Sequence, residues 1–432
     1  MRAAFFVFFA LIKVFGAFAS ATTFNDCSSQ WREVDWKIVP FIDLNAKYYS
    51  YQFKIPAGKK VQFKIEGTFP IARYMSFHVY DQLTEDPISR ITDTFIDPND
   101  NSVNPFRPGI DRYSPNRDYS LWINQLNKSS SSNQTLWLPS NETQDRFIDL
   151  WYRVYVNEET NLTLPRILAF DQEKNPIACP EPHLKTWSIA TEPGPLDFRI
   201  PARAQESKIP APFKNGEVHF FKPNTSSLGA NLDNRYLSTR LDGKALFSPY
   251  SIKGRIERRL LKKHNVINNI GDMTVLRFKT PSFPDTLSKL KYFTGNEDVR
   301  YWSLCLSDAD TSTEQCLMDS QVQTLTNARG EKYAVVVVGP DNPKLKQLVR
   351  SKHYNFLNHA EVRAPLLFFR QMLANPNFTG NIEKVSPLPE SMDPEGDISP
   401  SFFGETAIDD YSPFGRQCWY RDSNPFIFCG LH

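Results

Sequence analysis

Tyr74, Ser76, His78 and Tyr80 stand at two-residue spacing, and their types could do chemistry together. A β-strand sends alternate residues to one face, so the four side chains project side by side. The rings would stack on a ligand such as a sugar, and the hydroxyl and imidazole would hydrogen-bond it. Pockets of that kind are mostly apolar with a few placed polar groups. The set has a second version late in the chain. Arg73-Tyr74-Met75-Ser76-Phe77-His78-Val79-Tyr80-Asp81 is matched by Arg300-Tyr301-Trp302-Ser303-Leu304-Cys305-Leu306-Ser307-Asp308, which adds Tyr301 and Ser303 to the candidate ligand-binding residues. The plain alternative is the less buried side of a strand, where tyrosines serve cross-strand packing. No Ser or Asp partner for His78 is assignable from spacing, so the sequence gives it no role as a base.

Two arginines form the other candidate constellation. Arg153 closes Leu150-Trp151-Tyr152-Arg153, and Arg370 closes the matching Leu367-Phe368-Phe369-Arg370. An arginine inside an apolar strand needs a carboxylate or several carbonyls. Asp81 and Asp308 end the repeated strands, so the expected structural ion pairs are Arg153–Asp81 and Arg370–Asp308. A buried arginine left without a partner would instead point to an anion site. No H-E-x-x-H, G-x-S-x-G, P-loop or G-x-G-x-x-G occurs. The seven histidines are scattered, and no short C-x₂₋₄-C exists. The catalytic residues, if any, are unknown, and neither a metal nor a cofactor is expected.

These residues must be positioned by strands. Residues 48–55 and 61–65 alternate around Pro56-Ala57-Gly58-Lys59 and read as a hairpin. Met75, Phe77 and Val79 point opposite to the polar-aromatic set, as do Trp302, Leu304 and Leu306 in the second copy. Further matches follow in order: 118–123 with 332–337, and 137–138 with 356–357. A self-similarity of this long period implies two copies of one domain rather than a solenoid. The expected division is a signal peptide at 1–21, a β-sandwich domain at 22–179, a Pro-rich linker at 180–216, a second sandwich domain at 217–386, and a disulfide-held extension at 387–432. The second copy carries a basic amphipathic helix near 252–264, which gives either a solvated face or weak contact with an anionic surface. A further helical turn is expected within 284–293. Residues 355–372 are ambiguous, with the repeat drawing 365–373 toward strand.

Arg2, the apolar run from Ala3 to Ile12 and Ala19-Ser20-Ala21 have the layout of a cleavable export signal. Cleavage near Ala21 predicts a secreted or periplasmic chain with no transmembrane segment. It also removes two basic residues from the 50, leaving 48 against 48 acidic ones. A neutral chain with 13% aromatics is neither a nucleic-acid binder nor disordered. Six cysteines in an exported chain favour disulfides over catalysis or metal binding. The expected pairs are Cys27–Cys179, Cys305–Cys316 and Cys418–Cys429. Six Asn-x-Ser/Thr triplets would carry glycans only in a eukaryotic secretory pathway.

The segments 72–81, 98–106, 151–156 and 299–308 resemble an uncharacterised group of exported bacterial proteins. Each half is also similar to domain-of-unknown-function family 1214, through its aromatic-Ser strand, middle strand and Arg-bearing strand. That resemblance implies antiparallel, jelly-roll-like β-sandwiches. It supplies no reaction and no catalytic residues. Three functional readings remain: a ligand-binding protein for a small molecule or glycan, an extracytoplasmic hydrolase with catalytic residues on loops, and a structural or host-facing interaction protein.

Overall fold

The computed structural model describes residues 25–34, 42–84, 86–125, 135–139, 143–184, 217–223, 232–241, 273–308, 313–359, 362, 365–389 and 399–418. The expected signal peptide, most of the linker, the basic segment at 252–264 and Cys429 lie outside the described residues.

Among the described residues the chain is mainly β, in four sheets. The first has the order β1 (Arg32–Glu33), β2 (Ala46–Ile55), β8 (Arg146–Tyr155), β4 (Tyr74–Asp81), β5 (Pro87–Thr92), all antiparallel. It faces a sheet of order β7 (Thr135–Trp137), β6 (Asp118–Asn124), β3 (Gln62–Thr68), β9 (Arg166–Phe170). Between them lies a core that includes Phe53, Phe63, Phe77 and Tyr152. A second pair repeats the plan. The order β11 (Asn234–Arg240), β18 (Pro365–Met372), β13 (Tyr301–Asp308), β14 (Thr313–Met318) matches β2-β8-β4-β5. Opposite it run β10 (Glu217–Val218), β19 (Phe414–Cys418), β12 (Met273–Lys279), β16 (Lys332–Gly339) and β15 (Leu325–Thr326), with β17 (Asn355–Asn358) parallel to β16. Trp302, Phe369 and Phe278 centre that core.

Two expectations change. Residues 48–55 and 61–65 do not form a hairpin: β2 pairs β8 and β1, whereas β3 pairs β6 and β9. Both strands carry large apolar side chains that need a common core, so the turn, with Gly58 at φ +71°, arches from one sheet to the other. Phe53 and Phe63 then meet at 4.8 Å across the sandwich. The segment after 387 is more than an extension. It supplies β19 to the interior of a sheet, beside β12, and Ile408 to the core. The expected helical turn within 284–293 is a single 3₁₀ turn at Thr286–Ser288.

An unanticipated helix, α1 (Pro343–Ser351), follows from local signals. Asn342 accepts hydrogen bonds from the amides of Lys344 (2.9 Å) and Leu345 (3.2 Å), and proline occupies the first helical position. Leu345 and Val349, four apart, pack on the outer side of the sheet with Val335 and Val337. A second, one-turn helix is α2 (Gly404–Ile408).

Cys27–Cys179 and Cys305–Cys316 are disulfides, as expected. Cys418 is also disulfide-bonded. Among the described residues, no helix is long and apolar enough to cross a membrane.

Candidate functional site

Both faces of β4 and β13 are buried. Met75, Phe77 and Val79 enter the first core, as their alternation requires. The other face is not the exposed side of a strand: Tyr74, Ser76, His78, Tyr301 and Ser303 are fully buried and Tyr80 nearly so. Tyr48, Tyr74, Tyr155, Tyr301, Met318 and Met372 belong to one apolar cluster, where the first sheet of each pair meets the other.

The repeated motif makes that seam reciprocally. Tyr74 donates to Asp233 (2.7 Å), and Tyr301 donates to Asp43 (2.8 Å). Asp233 lies just ahead of β11 and Asp43 just ahead of β2, each in the sheet opposite its tyrosine. The arginines preceding the tyrosines do the same. Arg73 pairs with Asp319 and both are fully buried, while Arg300 lies 3.8 Å from Asp93. Asp93 also accepts from the Met75 amide (3.0 Å) and Asp319 from the Trp302 amide (3.2 Å). Reciprocal contacts of this kind are those of an isologous interface. The Arg-Tyr-x-Ser motif therefore joins two sandwiches, and the aromatic face lies in the seam.

Burial raises the Asp93 carboxyl from 3.8 to about 6, against the pull of Arg300 and the amides of Met75 and Thr94. The unfolded chain releases this proton near pH 4, while the fold holds it to about pH 6. Stability therefore falls across that window, by up to about 3 kcal/mol, and no further above it. Asp93→Asn should remove this slope. Its urea midpoint relative to the parent chain is expected to improve from pH 4 to pH 7.5. An unchanged difference between the two pH values would count against the assignment.

Of the two arginine pairs expected from sequence, Arg153–Asp81 does not form, and the side chain of Asp308 lies outside the described residues. Arg153 sits opposite Ser76 and Arg370 opposite Ser303, five residues along the strand from Asp81 and Asp308. That is about 16 Å, and an odd spacing puts the residues on opposite faces. Asp81 instead accepts from the amides of Leu83 and Thr84. Arg370 finds Asp43 at 3.9 Å, across the seam. Arg153 donates to His78 Nδ1 (2.7 Å) and to the Tyr80 hydroxyl (2.9 Å), and its guanidinium lies 4.8 Å from the Trp151 ring centroid. His78, Tyr80 and Arg153 thus converge, whereas Tyr74 turns away to Asp233. Ser76 lies 3.3 Å from His78 Nδ1, the arrangement of a nucleophile and its base. Arg153 holds the same nitrogen, and both side chains are sealed from solvent, so no substrate reaches them.

An open concavity lies elsewhere along the seam. A groove of about 310 Å³ is lined by Thr94, Phe293, Glu297, Arg300 and Asn375, among others. Arg300 stacks 4.4 Å from the Phe293 ring centroid and donates to the carbonyls of Arg73 and Phe106 (3.3 Å each). Glu297 accepts from the hydroxyl of Thr294 (2.7 Å). Among the described residues, Asp43, Cys305 and Cys316 cluster as potential metal ligands, but the two sulfurs are bonded to each other.

Sequence reasoning missed Asp43, Asp93, Asp233 and Asp319. A signal for two of them exists: Asp93 follows Met75 by 18 residues, and Asp319 follows Trp302 by 17.

Fold and seam together define a protein of several antiparallel β-sheets, joined face to face through a repeated motif. No family model and no curated protein matches the chain. Among solved structures it is similar to a putative uncharacterised protein from Burkholderia cenocepacia, with 11% identity and a TM-score of 0.45, over 80% of this chain and 78% of that one. It is also similar to the VPA0106 protein from Vibrio parahaemolyticus, with 11% identity and a TM-score of 0.33, over 78% and 87% of the two chains. At these values the likenesses say nothing of function.

Proposed function

We propose that this is an exported binding protein, made of two tandem β-sandwich domains that arose by duplication, and that it takes a small polar ligand such as a glycan in the groove at their seam. The groove itself carries this reading. Phe293 lines it from beneath the Arg300 guanidinium, nearly buried, and Arg300, Glu297 and Asn375 give it donors and acceptors, the mixture that small-molecule sites use. Secretion or periplasmic residence, after cleavage near Ala21, is part of the proposal. Disulfides and the lack of a long apolar helix among the described residues are compatible with it. Kinship of each half with domain-of-unknown-function family 1214 belongs to it too, supported by the strand order common to both pairs of sheets.

Glycan-array and thermal-shift screening tests the reading, with Glu297→Ala and Asn375→Ala as controls. A sugar is expected to raise the melting temperature of the parent chain, and either substitution should weaken its binding about 10-fold or more, as losing a hydrogen bond to a charged or amide group does. No binder of any class, or a binder indifferent to both substitutions, would overturn it.

A further inference from the structure

The two arginines that precede the repeated tyrosines are not neutralised alike. Arg73 has no side-chain exposure and two carboxylates near it: Asp319 pairs with it directly, and Asp285 lies 3.7 Å away. The hydroxyls of Ser320 (2.7 Å) and Thr286 (3.2 Å) accept from it as well. Arg300 has Asp93 at 3.8 Å, beyond hydrogen-bond reach. Of its five N–H groups, two donate to carbonyls of described residues, those of Arg73 and Phe106. Its side chain is 13% exposed, and the residue lines the groove.

The repeat shows what differs. Asp93 corresponds to Asp319, because each accepts from the amide of the residue that follows its motif's tyrosine. Thr94 then corresponds to Ser320. Ser320 closes on Arg73, whereas Thr94 lines the groove. Arg73 has a second acid, Asp285, and Arg300 has the groove instead. A guanidinium with donors to spare suits a carboxylate, whose two oxygens match its planar fork. The remaining lining narrows the class. Against the cost of burial, hydrogen bonds from the Thr294 hydroxyl and nearby amides hold the Glu297 carboxyl below its usual range, so it is an anion at neutral pH. Glu297 accepts, and Asn375 both donates and accepts, which suits hydroxyls and disfavours a second carboxylate.

We propose that the groove takes an acidic sugar, with one carboxylate seated on Arg300 and hydroxyls facing Glu297 and Asn375. This rests on the reading of the groove as a glycan site and names the kind of glycan.

A pH dependence follows from what stands behind Arg300. Asp93 is unexposed, and the charged side chains acting on it are Arg300 and Asp233, the latter paired with Arg90. Below about pH 6 Asp93 keeps its proton, which leaves the charge of Arg300 to the ligand. Above that, ionised Asp93 competes with the sugar for the same guanidinium. Affinity for an acidic sugar should therefore rise about 10-fold as pH falls from 7.5 to 5, the scale of one unit charge acting over a few ångströms near a protein surface.

The test is an array of neutral and carboxylate-bearing glycans, probed with the full chain at pH 5 and pH 7.5 at one ionic strength, with titration calorimetry on the glycans that bind. Carboxylated sugars are expected to bind tighter at pH 5, and reducing the carboxylate to an alcohol should cost about 10-fold or more. Asp93→Asn should hold the affinity at its low-pH value throughout, and Arg300→Gln should weaken it at least about 10-fold. Neutral sugars binding as tightly as acidic ones would overturn the proposal and leave the groove a glycan site. No binder of any class would overturn both. An acidic sugar held equally at the two pH values, or one whose pH dependence survives Asp93→Asn, would overturn the seat on Arg300, and this comparison decides the matter if Arg300→Gln does not fold.

Discussion

Asp43→Ala is expected to lower the unfolding free energy by about 3–5 kcal/mol, the usual consequence of removing one partner from a buried charge pair. Asp43 has no solvent exposure. Its Oδ2 accepts from Tyr301 and from Ser303 (2.7 Å) and lies 3.9 Å from Arg370, while Oδ1 accepts from the backbone and side chain of Asn45. Alanine would take a carboxylate from beside a buried guanidinium and an acceptor from two buried hydroxyls. Asp43→Asn keeps an acceptor and loses the charge, so its effect should fall between. Urea unfolding followed by tryptophan fluorescence reads both. A change below about 1 kcal/mol for alanine, the scale of a surface pair, would mean that Asp43 does not hold the two sandwiches together.

Arg73→Met should be comparably damaging, about 3–5 kcal/mol. Arg73 and Asp319 are both fully buried and paired directly, and Arg73 also donates to Thr286 (3.2 Å) and Ser320 (2.7 Å). Methionine matches the stem but leaves the carboxylate unpaired. Adding Asp319→Leu should recover a substantial part of the loss, because an apolar pair can replace a buried ion pair. The recovery will be incomplete, since Asp319 also accepts from the Trp302 amide. The double-mutant cycle should show a coupling of about 1–3 kcal/mol, and additive effects would argue that the contact contributes nothing to cohesion.

Much of the sandwich was legible in the sequence because a strand's period of two survives changes of residue type. Met75, Phe77 and Val79 could be assigned to a core without any partner strand in view. Two disulfides were legible as well, Cys305–Cys316 from its place between neighbouring strands. Alternation does not say what lies on the other side of a sheet. The face of Tyr74, Ser76, His78 and Tyr80 therefore read as open when it is covered by a second sheet. The Arg153–Asp81 pair failed for a related reason. Nearness in sequence suggested Asp81, but ladder register puts that residue on the wrong face. Asp43, which does lie beside Arg370, is more than 300 positions upstream, a relation that no local spacing encodes. The hairpin at 48–65 failed because a short turn serves an arch as well as a hairpin.

The position of β19 has a consequence for how the chain is made. The first sandwich has all its described strands once residue 170 has emerged, so it can assemble early in synthesis. In the second, β12 waits for its inner neighbour until residues 414–418 exist. Pairings between such distant segments form slowly, and an unsatisfied strand flank is prone to sticking to other chains. A nascent or prematurely terminated polypeptide would thus present Val275 and Leu276 on an open ladder, and keeping that flank occupied or shielded becomes the task of chaperones that meet the chain on its route.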